Sequence, residues 1–167
     1  MKRPEPVQVI KERRDLGLAM LVGQVPYIGW LGIDFERKGD ELTATLPFAE
    51  KTIGNPMLPA IHGGATAAFL EASATIELAW SMLWDEIESG RIDAQALTPE
   101  TMPKLPKTID ITIDYLRPGL PRDAYARARV VRSGRRYASV QVEAWQDNRD
   151  RPFAAATGHF LMPEKAP

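Results

Sequence analysis

Residues 7–24 set Val7, Ile10, Leu16, Met20 and Leu21 at mostly helical spacing among charged neighbours, which predicts an amphipathic N-terminal helix. Further on the period shortens. Leu42, Ala44, Leu46 and Phe48 alternate with Thr43 and Thr45, the pattern of a half-buried strand. "GIDFERKGDEL" before it adds a strand and a glycine-containing turn, so the two close a hairpin. The prolines of "NPMLPA" interrupt regular structure. From His62 to about Glu88 there is no proline and alanine is frequent, which predicts a long helix. At about 100° per residue, Ala65, Phe69, Ala72, Ile76, Trp80 and Leu83 share one broad apolar face. Gly64, Ala68, Glu71 and Thr75 form a neighbouring stripe.

Residues 85–107 are polar and contain proline, so they read as a helix end followed by a long surface loop. After them "TIDITIDYLRP", "AYARARVVR", "ASVQVEAWQ" and "FAAATGHFLM" read as strands separated by the turn signals "GLPRD", "SGRR" and "DNRDRP". These connections are too short for parallel crossovers, and an antiparallel sheet follows. The expected class is α+β, a curved antiparallel sheet wrapped around one long central helix. We divide the chain into an N-terminal helical segment over residues 1–29 and a single domain over 30–167.

Composition narrows the chemistry. A chain of 167 residues is long enough for one substantial core, and 44% hydrophobic with 26% charged residues indicates neither disorder nor a membrane protein. There is no cysteine, which removes disulfides, a thiolate nucleophile and Cys-ligated metal together. His62 and His159 are the only histidines, so a His-rich metal site is not expected, nor is a cofactor. The net charge of −1 gives no global attraction to nucleic acid. "LGLAMLVG" is too short for a membrane anchor and lacks a cleavage pattern, so a cytoplasmic location is expected.

The "HGG" of residues 62–64 at the start of the helix, the acidic Glu71 nine positions after the His, and the later "TIDITIDYLRPG" resemble the hot-dog fold acyl-CoA thioesterases of the phenylacetate-pathway (PaaI-like) type. The resemblance spans roughly residues 30–163. It implies an acyl-CoA substrate, hydrolysed to free acid and CoA, and self-association as a dimer or a dimer of dimers. In similar thioesterases the glycine after the His supplies a backbone N–H to the thioester oxygen, which maps to Gly63, with Gly64 beside it. Glu71 corresponds to the catalytic carboxylate, and His62 orients the loop. Thr108 matches a hydroxyl that helps position water. Asn55 resembles a loop Asn aimed at the substrate, although it lies one position further from its His than in the family pattern. The loop of residues 85–107 is longer than in compact members and is expected to form a partial lid over the acyl pocket.

The chemistry fits these residue types. Thioester hydrolysis needs a donor for the carbonyl oxygen and a carboxylate that attacks or activates water. A helix N-terminus offers free N–H groups and the positive end of a dipole. Thr75, one turn beyond Glu71, can hold the carboxylate or a water. Gly63 and Glu71 are about 12 Å apart along a helix, too far to serve one carbon from the same chain, so a two-fold pair of helices is expected to complete the site. "RARVVRSGRR" offers Arg132, Arg135 and Arg136 around Gly134, with Arg117 in a nearby turn, as a clamp for the CoA phosphates. The plainer alternative is a solvated hairpin face. No aromatic residue is interleaved with these arginines, which disfavours nucleic acid. Two further alternatives are a non-catalytic acyl-CoA or lipid-binding protein on the same scaffold and a hot-dog dehydratase. The second would need a loop His where this chain has Met57.

Overall fold

In the computed structural model, which describes residues 5–164, the N-terminal amphipathic run folds as α1 (Val7–Gly23). A short helix that periodicity misses, α2 (Pro26–Leu31), follows. Its six residues are too few to set a period. Pro26 begins it where a missing N–H costs nothing, and Gly32, at φ 78°, ends it in the left-handed region. β1 (Asp34–Lys38) and β2 (Glu41–Leu46) make the expected hairpin. A single 3-10 turn (Glu50–Thr52) leads through an irregular loop to the central helix α3 (Gly63–Glu88). A second 3-10 turn (Ala94–Ala96) precedes β3 (Lys107–Tyr115), β4 (Ala124–Ser133), β5 (Tyr137–Trp145) and β6 (Ala154–Leu161).

All strands join one antiparallel sheet in the order β1-β2-β4-β5-β6-β3. The face turned to α3 is built largely from small residues. Ala124, Ala126, Ala144, Ala154 and Ala156 are buried there beside Val140, Val142 and Phe160, so the helix seats close to the strands. The apolar face expected for α3 is too narrow. Phe69, Ile76, Trp80 and Leu83 are buried as anticipated, but so are Leu70, Ser73, Ala74, Leu78 and Ile87. Ala65 and Ala72 are only half-buried. The physical reason is that α3 is covered from two sides, by the sheet and by α1. Gly17 of α1 comes so near that a β-carbon there would stand 3.5 Å from Leu83 and Trp80.

The segment between α3 and β3 also differs from expectation. Its 3-10 turn packs on α1, Met102 is buried in the core, and Ile92, Leu97 and Leu105 lean on it. The two sheet edges contrast. β1 is short, with Asp34, Glu36, Arg37 and Lys38 among its five residues, whereas β3 runs for nine residues with Ile109, Ile111 and Ile113 between Lys107, Asp110 and Asp114 and no proline. Among the described residues no helix is long and apolar enough to cross a membrane.

Candidate active site

Two separate stretches of chain build the mouth of α3. His62 is the N-cap, and its Nδ1 accepts a hydrogen bond from the Gly64 N–H at 2.9 Å. An accepting Nδ1 puts the ring hydrogen of a neutral imidazole on Nε2. The His62 N–H donates to the Thr52 carbonyl at 2.7 Å, and the His62 carbonyl accepts from the Thr66 N–H at 3.0 Å. From β3, the Tyr115 hydroxyl donates to the Gly63 carbonyl at 2.8 Å. Four residues later, the Gly119 carbonyl accepts from the Ile61 N–H at 2.8 Å. The "YLRPG" stretch therefore grips the "HGG" stretch on both sides of the cap. Every backbone group just named has a partner, while the Gly63 N–H between them has none among the described residues.

Glu71 lies two turns along α3, half-buried, and its carboxylate makes no hydrogen bond or ion pair among the described residues. Thr75 is half-buried one turn further, so the stripe read from the sequence stays uncovered. Asn55 is exposed, and its side-chain oxygen accepts from the Met57 N–H at 2.9 Å, which makes it a local turn former in this loop. Thr108 pairs with the buried Phe160, and Tyr115 pairs with the buried Ala154, so both face α3. They stand at opposite ends of β3, about 20 Å apart at strand spacing.

That separation divides the other candidates. The β4–β5 turn with Arg132, Gly134, Arg135 and Arg136 lies at the Thr108 end, because Tyr137 and Lys107 both pair with Leu161. Arg117 follows Tyr115 at the other end, its N–H bonded to the Phe153 carbonyl. The turn read as near the arginine run is thus the full length of the sheet from it, since β3 pairs with β6 and not with its neighbour in sequence. Arg127 and Arg129 are already engaged, with Thr43 and Glu41 and with Gln141. Arg117, Arg132, Arg135 and Arg136 are exposed and make no ion pair among the described residues.

Tyr115 and Glu77 were not among the sequence candidates. Tyr115 stood inside a recognised motif, but its partner is 52 residues away and no spacing rule connects them. Glu77 is a second carboxylate on an otherwise apolar helix, about 240° around α3 from Glu71. It lines a cleft of about 780 Å³ with Ser81, Leu42, Val130 and Arg127, away from the helix mouth. Burial pushes its carboxyl up to about 7. Among the described residues, a single chain thus presents a free donor at one place and an unpaired carboxylate about 12 Å along α3 from it.

The sequence profile of the acyl-CoA thioesterase N-terminal domain matches residues 54–161. A medium/long-chain acyl-CoA thioesterase of Salmonella typhimurium, YigI, is 30% identical over 153 residues, covering 86% of this chain and 89% of its own. Among solved structures, a Shewanella oneidensis protein related to the thioesterase superfamily superimposes with a TM-score of 0.71 at 23% identity, over 95% of this chain and 99% of that one. A Chromobacterium violaceum protein gives a TM-score of 0.62 at 31% identity, over 96% and 100%. The sheet wrapped on one long helix is the hot-dog fold.

Proposed function

The chain belongs to the acyl-CoA thioesterase family and is a thioester hydrolase, and on that footing we propose that Glu71 and the Gly63 N–H act together on the thioester of an acyl-CoA. The observation that carries this reading is the Gly63 N–H, which has no partner among the described residues while the Gly64 N–H and the His62 and Gly63 carbonyls beside it are held. A thioester oxygen seated there meets a donor whose direction is already set, reinforced by the positive end of α3. Glu71 then attacks the carbonyl carbon, giving an anhydride that water opens, or takes a proton from a water that attacks instead. Either way negative charge grows on the carbonyl oxygen, the carbon–sulfur bond breaks, and CoA leaves as its thiol.

Two copies of the chain are needed for this. From Gly63 to Glu71 is about 12 Å along α3, beyond reach of one thioester. We assign the halves to two copies related by a two-fold axis at the β3 edge, which is longer than β1 and less densely charged, with Lys107, Asp110 and Asp114 among nine residues against four charges among the five of β1. Antiparallel pairing of two β3 edges sets the Tyr115 end of one beside the Thr108 end of the other. Gly63 and Arg117 of one copy then approach Glu71, Thr75 and Thr108 of its partner, with Arg132, Arg135 and Arg136 on the same side to meet the CoA phosphates. Thr75 and Thr108 hold the attacking water.

Free CoA released from medium-chain, long-chain and aryl acyl-CoAs, read with a thiol reagent, tests the reading. The protein has no cysteine to add background. The Salmonella relative is a medium/long-chain enzyme, so those chain lengths are the first substrates to try. Glu71→Gln, nearly isosteric, is expected to keep its circular dichroism spectrum and lose about 10²-fold or more in turnover. Turnover within a few-fold of wild type removes Glu71 from the chemistry.

A further inference from the structure

Tyr115 closes β3 on the side facing α3 and is 56% exposed, so burial in its own chain does not account for it. Its hydroxyl reaches the Gly63 carbonyl at 2.8 Å, and a β-carbon on Gly63 would stand 3.5–3.6 Å from its oxygen and ring. The Gly63 carbonyl and the Gly64 N–H belong to one peptide plane. That plane is held at both ends, by Tyr115 on its oxygen and by His62 Nδ1 on its hydrogen. The plane before it carries the Gly63 N–H, and its carbonyl is bonded by Thr66. The two planes meet at the Cα of a glycine, which offers no side chain to resist rotation. The Gly63 N–H therefore keeps one aim only while both planes are held, the first by Thr66 and the second by Tyr115 and His62. Hydrogen bonds in series through one amide also polarise each other, which stiffens the arrangement further.

We infer that Tyr115 is a positioning residue for the hydrolysis, its hydroxyl holding the Gly63–Gly64 peptide so that the Gly63 N–H points at the thioester oxygen. This rests on the reading of Gly63 as the donor. Tyr115 touches no reacting atom. Its effect belongs to the step in which charge develops on that oxygen, not to the capture of the CoA ester.

Tyr115→Phe keeps the ring and removes the hydroxyl. Its kcat is expected to fall about 10-fold while KM for the acyl-CoA stays within about twofold. A kcat within twofold of wild type, or a KM that rises in step with the loss, overturns the role. A second readout uses infrared difference spectra of an acyl-CoA labelled with ¹³C at the thioester carbonyl, bound to protein carrying Glu71→Gln. Polarisation by the donor lowers the carbonyl stretch relative to the free ester, and adding Tyr115→Phe is expected to return part of that shift. An equal shift with and without the hydroxyl rules out Tyr115 alone. No shift in either protein rules out the Gly63 donor itself, so the two failures are distinguishable. Should Tyr115→Phe not fold, 3-fluorotyrosine at position 115, which retains the hydroxyl, must keep kcat near wild type, and a 10-fold loss there overturns the inference.

Discussion

The imidazole of His62 sits in a slot made by two absent side chains. A β-carbon on Gly54 would stand 2.9 Å from its Cδ2, and one on Gly64 3.0 Å from its Nδ1. The first contact is closer than packed carbon allows and the second closer than most, so either alanine pushes on the ring and weakens the cap. Losing such a cap costs about 1 kcal/mol. Gly64→Ala is therefore expected to lower the melting temperature by a few degrees and to reduce CoA release, and His62→Ala should act in the same way. Both should lose less turnover than Glu71→Gln, because they misplace the loop without removing a reacting group. A larger loss with His62→Ala than with Glu71→Gln, in the same thiol assay, would move proton transfer onto His62. In the sequence the two glycines of "HGG" look alike, yet in the structure their duties differ. Gly63 meets only Tyr115 at ordinary contact and leaves its N–H open, whereas Gly64 makes room for the ring. Spacing along the chain cannot carry that distinction, because it depends on where an imidazole folds back.

For α3, existence and length were legible from alanine content and the missing prolines, and the stripe through Gly64, Ala68, Glu71 and Thr75 was read with the right angular position. The buried face was underestimated because a helix covered from two sides loses the contrast between wet and dry that periodicity measures. Glu77 falls in this blind spot. It lines one cleft with Asp40, Glu41 and Arg127 and a second with Arg14 of α1, yet among the described residues it makes no hydrogen bond or ion pair. Burial raises its carboxyl from 4.5 to about 7 in the folded protein. The fold thus prefers the protonated form, so this contribution to stability is complete below about pH 4.5 and is lost as the pH rises through about 7. The loss amounts to roughly 3 kcal/mol. Glu77→Gln should flatten that part of the pH profile and make the protein more stable than wild type at about pH 8. Urea denaturation at about pH 5 and about pH 8 checks this, and equal pH dependence in the two proteins would refute it.

At the scale of the molecule, the strand count and antiparallel sense were legible, but the order was not. "GLPRD" looks like a hairpin turn, yet β3 lies at the far edge beside β6, a pairing between strands distant in sequence that no local turn signal encodes. The proposed two-chain site has a direct test. Gly63→Val, which crowds Tyr115 and blocks the mouth, and Glu71→Gln should each be inactive alone. Co-expressed, they should regain roughly a quarter of wild-type activity, because half the pairs are mixed and each mixed pair has one intact site. Folded, dimeric, mixed proteins without activity would assign both groups to one chain. The bare β3 edge then bears on dosage. A substrate gripped by two chains binds the pair and not the single chain, so by mass action it draws the chains together. Specific activity should fall on dilution below the dissociation constant of the pair and recover on adding substrate, so scarcity of acyl-CoA would itself idle the enzyme by letting its halves part.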